Sequence, residues 1–209
     1  MTRAVIFDFG NVLCFPPSSE KILRAAEFLA LTEHAFLEAF WKDRLEYDAG
    51  RLSPSEYWQA VAGSRIANDH LDALIGIEVD FWNDYDSRPF EWIAALRAAG
   101  IRVGILSNLP RVLGEALRSA SFLGKPFLEH FDQVTFSYEL HVVKPQAAIY
   151  RHAFEGLGIA PQDALFLDDK LPNVHGAITT GLRAELFTTW EEFLARDVPR
   201  LYGLPDAPR

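Results

Sequence analysis

The sequence has little sulfur and no long apolar run. Cys14 is the only cysteine among 209 residues, so no disulfide can form within the chain. No apolar stretch reaches the roughly 20 residues that a membrane-spanning helix requires. No charged segment followed by an apolar one stands at the N-terminus. We therefore expect a cytoplasmic protein that has no membrane partner.

Basic residues are also scarce. The chain has 20 lysines and arginines against 29 aspartates and glutamates, a formal net charge of -9. This balance argues against nucleic acid as a partner, because such binding needs a basic surface. It does not exclude a small anionic substrate, since a bound cation can reverse the local charge. The apolar fraction of 49% suffices for one large domain, or for a domain with an insertion.

The first apolar segment is the starting point for a functional interpretation. Residues 4–7 are Ala-Val-Ile-Phe, and they are followed at once by Asp8, with Gly10 two positions on. A short apolar run that ends abruptly predicts a strand buried on both faces. Open α/β sheets bind their ligands outside the carboxyl ends of the strands. Asp8 is thus a candidate nucleophile, or else a carboxylate that merely ends a strand.

The remainder of the chain divides into a helical block and an alternating pattern. Residues 16–87 show helical spacing and no convincing strand. From Pro89 onward, helices alternate with apolar strands, predicted at 101–106, 133–137, 163–167 and 184–187. This alternation predicts a parallel, doubly wound sheet. The fold class is therefore α/β, with a Rossmann-like core of residues 1–15 and 88–209. Residues 16–87 form an inserted helical cap, placed to overhang the sheet's carboxyl edge and to close the site against water.

Polar residues follow four of the predicted strands, namely Asp8, residues 107–108 (Ser-Asn), Lys144 and residues 168–169 (Asp-Asp). Each has an ordinary structural explanation, such as a helix N-cap, a surface lysine or an acid pair near a helix N-terminus. Together they supply what phosphoryl transfer through an acyl phosphate requires: a carboxylate nucleophile, phosphate-binding groups, a lysine, and acids for a divalent cation. Two adjacent acids that point at a third would repel one another without such a cation.

At this point the sequence resembles a known family. Residues 8–13 (Asp-Phe-Gly-Asn-Val-Leu), 106–108 (Leu-Ser-Asn), 144–150 (Lys-Pro, then Ile-Tyr) and 166–173 (Phe-Leu-Asp-Asp, then Asn) are similar, in order, to the four motifs of the haloacid dehalogenase (HAD) superfamily. The insert resembles the small α-helical cap of that superfamily. The branch that it resembles contains bacterial glucose-1-phosphate phosphatases and the N-terminal phosphatase domain of soluble epoxide hydrolase.

The resemblance implies a role for each motif residue. Asp8 would be the nucleophile that forms an aspartyl-phosphate. Ser107 and Asn108 would hold the phosphate. Lys144 would offset negative charge on the nucleophile and on the transferring group.

The resemblance also implies a Mg²⁺ cofactor. Asp8, Asp169 and the main-chain carbonyl of Gly10 would be ligands, and Asp168 would bind the ion directly or through water. Such hard oxygen ligands suit Mg²⁺. Asn173 would support the ligands from behind.

Gly10 departs from the pattern of most phosphatases in this superfamily, which carry a second aspartate there as general acid and base. General acid–base catalysis contributes a factor of roughly 10²–10⁴ in rate, and Gly10 has no side chain to supply it. We therefore expect a leaving group that departs readily, such as the anomeric oxygen of a sugar 1-phosphate. Water, a cap residue or the substrate would then supply the proton. The predicted function is a Mg²⁺-dependent phosphatase that acts on a small phosphorylated metabolite. The alternatives are a 2-haloacid dehalogenase, or a non-catalytic binding protein on the same scaffold.

Several residues keep two interpretations. Trp41, Arg44 and Tyr47 in the insert either line the substrate face or pack together, and packing is favoured by their spacing of three. His141 either touches substrate or is an ordinary loop histidine, and the second is favoured. Cys14 has no base partner in the sequence and is interpreted as a small buried residue. The chain is expected to be a monomer or a homodimer.

Overall fold

The computed structural model describes residues 1–208 and contains one parallel sheet. The strands are β1 (Ala4–Phe7), β2 (Arg102–Ser107), β3 (Ser121–Phe122), β4 (Lys125–Pro126), β5 (Gln133–Phe136), β6 (Ala164–Asp168) and β7 (Arg183–Leu186). Five of them form the sheet in the order β5-β2-β1-β6-β7, and every pairing within it is parallel. The first strand of the chain is therefore central. The α/β fold predicted from the sequence is confirmed.

Helices occupy most of the remaining chain. They are α1 (Ser19–Phe28), α2 (Glu33–Lys42), α3 (Arg44–Asp48), α4 (Pro54–Ala62), α5 (Asn68–Phe81), α6 (Ser87–Ala98), α7 (Arg111–Ser119), α8 (Ser137–Leu140), α9 (Ala147–Gly156), α10 (Leu171–Thr179), α11 (Trp190–Ala195) and α12 (Val198–Leu201). Across residues 1–208, none combines the length and the apolar character needed to cross a membrane.

The central strand β1 explains how the sheet is covered. Successive side chains of a strand point to opposite faces. Val5 and Phe7 accordingly pack into one buried cluster with α6 and α11, while Ala4 and Ile6 pack into a second cluster with α9. Both faces are covered, as the continuous apolar run predicts.

The pairing register brings the strand ends to one level. Phe7 lies opposite Ile105 of β2 and Leu167 of β6. The residues that follow these positions therefore emerge together at the carboxyl edge of the sheet. This is the physical reason why polar groups far apart in sequence meet there.

Helices α1 to α5 pack around a cluster of their own, rich in aromatic residues, which includes Phe36, Phe40, Tyr57, Trp58 and Phe81. Their starts follow from local sequence. Ser18 and Thr32 cap α1 and α2 through their side chains, and Ser53 with Glu56 forms a capping box at the start of α4, which satisfies otherwise unpaired main-chain donors.

Two short connections join the helical insert to the sheet. The Phe15 N–H donates to the Asp84 carbonyl at 2.8 Å, and the Asp86 N–H donates to the Leu13 carbonyl at 3.0 Å. The outgoing and returning chains therefore run side by side. This pairing places the insert over the end of β1.

The structure differs from the sequence-based prediction mainly between β2 and β5. Between these two strands the alternating pattern predicts a helix alone, whereas the structure has α7 followed by the β3–β4 hairpin. The hairpin turns through Leu123 and Gly124, both at positive φ, and Gly124 supplies the conformation that such a turn requires. The short helices α8 and α12 are also absent from the prediction. Their length of four residues is too short for a periodic pattern.

Candidate functional site

The centre of the candidate site is an ion pair at the end of β1. Lys144 Nζ lies 2.8 Å from Asp8 Oδ1 and 2.6 Å from Asp168 Oδ2. It also donates to the Leu106 carbonyl at 3.2 Å. The Lys144 side chain is 1% exposed, so three acceptors hold its ammonium group in a fixed position. The lysine thus faces one carboxylate that borders the cavity and one that is wholly buried.

Asp168 acts as the anchor of this arrangement. Its Oδ1 accepts from the Lys170 N–H at 2.8 Å and from Asn173 Nδ2 at 2.9 Å, while Oδ2 accepts from Lys144. Both oxygens are therefore engaged by protein donors, and the side chain is fully buried. This geometry favours a supporting role for Asp168, behind the groups that border the cavity.

Asp169 is oriented by a residue that the sequence analysis did not select. Asn11 Nδ2 donates to Asp169 Oδ2 at 2.8 Å. Asn11 has a φ of 61°, a left-handed conformation that asparagine tolerates better than most residues. An asparagine directly after Gly10 is the signal that could have indicated this role. Asn11 thereby links the loop after β1 to the loop after β6.

The carboxylates fit a divalent cation. One oxygen from each of Asp8, Asp168 and Asp169 lies within 4.8 Å of the other two. Three acids this close repel one another unless positive charge separates them, and Lys144 reaches two of the three. In addition, Oδ1 of Asn11 is buried and accepts no hydrogen bond from residues 1–208. An all-oxygen donor set of this kind suits Mg²⁺.

The residues after β2 take two different positions. Ser107 ends the strand and its side chain borders the central cavity. Both polar atoms of the Asn108 side-chain amide form hydrogen bonds with the main chain of Lys144. Its Oδ1 accepts from the Lys144 N–H at 2.8 Å, and its Nδ2 donates to the Lys144 carbonyl at 3.1 Å. Asn108 therefore positions the lysine, and its main-chain N–H is the group left for a ligand.

Burial governs the protonation of this site. Desolvation raises the pKa of Asp8 to about 7, opposed by Lys144 and reinforced by the charges of Asp168 and Asp169. Burial alone would lower the pKa of Lys144, but the two adjacent carboxylates outweigh it, so that this pKa lies above its ordinary value. The lysine is therefore charged at neutral pH, as charge stabilisation during phosphoryl transfer requires.

Gly10 is covered by an aromatic ring. A Cβ atom at this position would lie 3.1 Å from Cζ3 of Trp82 and 3.6 Å from Cε3. Trp82 packs against the core cluster and also against the cluster of the insert. The indole thus occupies the space that any side chain at position 10 would enter. This contact is a physical reason for the glycine at this position.

A cavity of about 780 Å³ opens over these groups. Its floor comes from the sheet edge and its roof from the helical insert. Asp8, Gly10, Ser107, Asn108, Lys144, Asp169 and Asn173 border it on the core side. Ile22, Leu37, Trp41, Arg44, Leu45, Asp48 and Trp82 border it on the side of the insert. The volume is typical of a site for a small molecule.

The structure thus gathers the sequence-predicted site residues around one cavity, with Asp168 directly behind its wall. Trp41 and Arg44 border the cavity, whereas Tyr47 stacks on Tyr57 at 4.0 Å within the insert. Tyr47 therefore packs without bordering the cavity, whereas Trp41 and Arg44 do both, since each also packs against the Phe40 ring. His141 binds the Ala49 carbonyl through Nδ1 at 2.9 Å, which joins the core to the insert and agrees with an ordinary loop histidine.

Comparison with known proteins identifies the family. Residues 2–181 match the family model for haloacid dehalogenase-like hydrolases. The chain belongs to this family. The HAD-like hydrolase fold is thus confirmed by the topology and by the family match, and the chain is assigned as a hydrolase.

Individual relatives of this HAD-like hydrolase carry different activities. It is 27% identical to D-ribitol-5-phosphate phosphatase of Bacteroides thetaiotaomicron over 180 residues, which covers 84% of this chain and 86% of the relative. It is 26% identical to (S)-2-haloacid dehalogenase 4A of Burkholderia cepacia over 187 residues, which covers 84% and 78% of the two chains.

A solved structure shares the fold. A HAD-family enzyme of Bacteroides thetaiotaomicron, in complex with magnesium and inorganic phosphate, superposes with a TM-score of 0.71 at 18% identity. The match covers 92% of this chain and 99% of the other.

Proposed function

We propose that this HAD-like hydrolase is a Mg²⁺-dependent phosphatase of a small phosphorylated metabolite, and that it acts through an aspartyl-phosphate on Asp8. The observation that carries the proposal is the position of Lys144, which bridges Asp8 and Asp168 beside Asp169. A buried lysine between two carboxylates, with a third acid close by, matches the charge pattern of phosphoryl transfer. The relative that acts on ribitol 5-phosphate supports the same activity.

The proposed reaction has two steps. In the first, a carboxylate oxygen of Asp8 attacks phosphorus, the P–O bond to the leaving group breaks, and the leaving oxygen takes a proton from water. In the second, water attacks phosphorus, releases phosphate and restores the Asp8 carboxylate. Lys144 offsets charge on the attacking carboxylate, while the Ser107 hydroxyl and the Asn108 main-chain N–H donate to phosphate oxygens.

The proposed Mg²⁺ ligands are Asp8, Asp169 and the main-chain carbonyl of Gly10. The bound ion would neutralise negative charge on the transferring phosphoryl group. Asn11 orients Asp169 through the 2.8 Å hydrogen bond. Asp168 holds Lys144 and Asn173 in place, and this arrangement favours its participation through water over direct ligation.

Residues 16–87 are proposed to form the cap, and residues 1–15 and 88–209 the core. The cap's own aromatic cluster and its two paired connections support this division. Because the cap roofs the cavity, it excludes water from the transferring phosphoryl group and selects the organic part of the substrate.

The surroundings of Gly10 favour a substrate with a good leaving group. Gly10 has no side chain that could donate a proton, and the indole of Trp82 lies against it. We therefore favour a sugar phosphate, and among these a sugar 1-phosphate, whose anomeric oxygen departs readily.

One observation favours a second candidate, a 2-haloacid dehalogenase. The displacement of halide by Asp8 needs no proton donor, which suits Gly10, and a dehalogenase is among the relatives. The cluster of three acids argues against it, because that chemistry uses no metal.

The test is phosphate release from a panel of phosphomonoesters in Mg²⁺ and in EDTA, with Asp8→Asn as the inactive control. We expect turnover that depends on Mg²⁺ and is abolished in Asp8→Asn. Turnover that survives EDTA would contradict the metal-dependent mechanism. Chloride release from 2-chloropropionate without any phosphate release would favour the dehalogenase. The cytoplasmic location, the absence of nucleic-acid and membrane partners, and the monomeric or homodimeric state remain predictions.

A further inference from the structure

The roof of the cavity contains a buried ion cluster that the proposed reaction does not use. Arg44 Nε donates to Asp48 Oδ1 at 2.8 Å, and Arg44 Nη1 donates to Glu78 Oε1 at 2.7 Å. The Tyr47 hydroxyl donates to Glu78 Oε2 at 3.2 Å. All three charged residues are buried, with Arg44 and Asp48 5% exposed and Glu78 fully enclosed. We call Arg44, Asp48 and Glu78 the cap cluster.

The cap cluster borders the cavity on one side only. Arg44 and Asp48 are among the lining residues, whereas Glu78 lies behind them. Within residues 1–208, Arg44 is the one hydrogen-bond donor to the Asp48 carboxylate, and it uses Oδ1. The second oxygen of Asp48 therefore remains for a group inside the cavity. An ionised acceptor in a desolvated place binds a hydroxyl donor more strongly than a neutral acceptor does.

The charges of the cluster define what it accepts. One guanidinium faces two carboxylates, so the positive charge of Arg44 is fully balanced. Burial raises the pKa of both Asp48 and Glu78, although Arg44 opposes it. The Arg44 guanidinium therefore has no spare positive charge, and placing another anion against two buried acids is unfavourable.

Aromatic and aliphatic groups complete this end of the cavity. Trp41, Leu37 and Leu45 line it beside the cluster. Carbon-bound hydrogens of a polyol or sugar pack against such surfaces, while its hydroxyls seek acceptors. Lys170 lies 5.5 Å from the Trp41 ring and directly follows Asp169 on the core side. The charges of Lys170 and Lys144 act with Arg44 to oppose the rise in the pKa of Asp48.

We propose that the cap cluster is the binding site for the distal end of the substrate, and that it selects an uncharged, hydroxyl-bearing group while rejecting a second phosphate or a carboxylate. The proposal rests on the phosphatase activity proposed above and names the class of substrate. Asp48 accepts a hydrogen bond from a distal hydroxyl, and Arg44 and Glu78 hold Asp48 in position and set the charge.

The experiment compares three sugar 1-phosphates that share one ring and one leaving oxygen and differ only at the distal carbon: α-D-glucose 1-phosphate, α-D-glucuronate 1-phosphate and α-D-glucose 1,6-bisphosphate. Acetyl phosphate, which is too short to reach the cap cluster, is the reference. We expect kcat/KM to be at least about tenfold higher for α-D-glucose 1-phosphate than for either analogue that carries a second anionic group, because a hydrogen bond to a charged group and the avoided repulsion each contribute about that factor.

Asp48→Asn tests the acceptor. We expect the ratio of kcat/KM for α-D-glucose 1-phosphate to that for acetyl phosphate to fall about 10- to 100-fold, mainly through KM. Glu78→Gln removes the same formal charge from a residue that does not line the cavity. In this variant the same ratio of kcat/KM values should fall less than about threefold. Asp72→Asn, an exposed carboxylate on α5, should keep the wild-type ratio. The double variant Asp48→Asn/Glu78→Gln frees Arg44, and preference should shift at least about tenfold toward the anionic analogues.

The outcomes are separable. No Mg²⁺-dependent turnover of any phosphate, acetyl phosphate included, would refute the proposed function. Turnover of acetyl phosphate would overturn the assignment of the cap cluster if the wild type showed no preference for α-D-glucose 1-phosphate over the bisphosphate and the glucuronate, or did not turn over any of the three. If Asp48→Asn lowered kcat/KM by the same factor for every substrate, acetyl phosphate included, the role of Asp48 would be structural only. That result would also overturn the assignment of the cap cluster. Melting curves establish which variants fold. If the double variant does not fold, the two single variants decide whether the cap cluster binds the substrate.

Discussion

The contact between Gly10 and Trp82 gives a prediction whose sign follows from the structure. In Gly10→Ala, the new Cβ would lie 3.1 Å from Cζ3, 3.6 Å from Cε3 and 3.7 Å from Cη2 of Trp82. Ordinary contacts of this kind begin near 3.4 Å, so the ring must move by a few tenths of an ångström. The position itself requires no left-handed conformation, since its φ lies outside the positive range. The expected effect is therefore one of packing.

The ring of Trp82 cannot move without disturbance elsewhere. It packs simultaneously against the core cluster and the cluster of the insert. Overpacking of a tight interior typically costs about 1–3 kcal/mol. For a partly buried ring we expect about 1–2 kcal/mol, which lowers the melting temperature by about 2–8 °C in a chain of this size.

The control is a second glycine that has room. In Gly76→Ala, within α5, the new Cβ would meet no atom within 4 Å. Alanine is the better helix former by roughly 0.5–1 kcal/mol, so that this variant should be more stable than the wild type. The two substitutions are chemically identical and their effects should have opposite signs.

A double-variant cycle tests the assigned partner. Trp82→Phe removes the ring edge that the new methyl group meets, so Gly10→Ala should cost little in that background. We expect a coupling energy of about 0.5–2 kcal/mol, measured by chemical denaturation of the four proteins. An unchanged stability of Gly10→Ala, or the same loss in both backgrounds, would refute the assignment of Trp82 as the excluding group.

Three further predictions concern buried charge. Burial raises the pKa of Cys14 to about 12, so very little of it is thiolate at pH 8. Its alkylation by iodoacetamide at that pH should be slower than that of an ordinary thiol by a factor of about 10³. Fast labelling of Cys14 in the folded protein would contradict this prediction. The pKa of Asp8 is raised to about 7, so protons compete with Mg²⁺ for this carboxylate below that pH. Calorimetry should show an affinity for Mg²⁺ that is about tenfold weaker at pH 6 than at pH 8. A Mg²⁺ affinity that does not change with pH would contradict this prediction. Lys144→Met should lose about 3–5 kcal/mol of unfolding free energy without metal. Mg²⁺ should restore part of that loss because it would supply positive charge beside Asp8 and Asp169. Equal losses in Mg²⁺ and EDTA would count against this explanation.

The sequence was sufficient for the architecture of the core because each strand carries its own signal. Residues 4–7 are apolar without interruption, and burial on both faces follows directly from that pattern. The polar residues after β1, β2 and β6 could be placed together because parallel strands end at one edge of a sheet. The β3–β4 hairpin was not predicted because strands of two residues are too short to show a periodic pattern.

The details of the site depended on contacts that no local pattern contains. The orientation of Asp169 by Asn11 joins positions 158 residues apart. The ion pair of Arg44 and Glu78 spans 34 residues, and each partner alone looks like an ordinary helix-surface residue. The contact of Trp82 with Gly10 likewise joins the end of the insert to the loop after β1. Such pairings are set by tertiary packing, so spacing within the sequence could not predict them.

The proposed mechanism requires that Asp8 become covalently phosphorylated, and this can be measured directly. The enzyme would be mixed with Mg²⁺ and acetyl phosphate, quenched in acid within the first turnovers, digested and examined by mass spectrometry. We predict that the peptide containing Asp8 gains the mass of one phosphoryl group, and that the gain is absent in EDTA and in Asp8→Asn. Continued release of phosphate by an enzyme whose Asp8 peptide never gains that mass, with the group found on another residue, would contradict the mechanism.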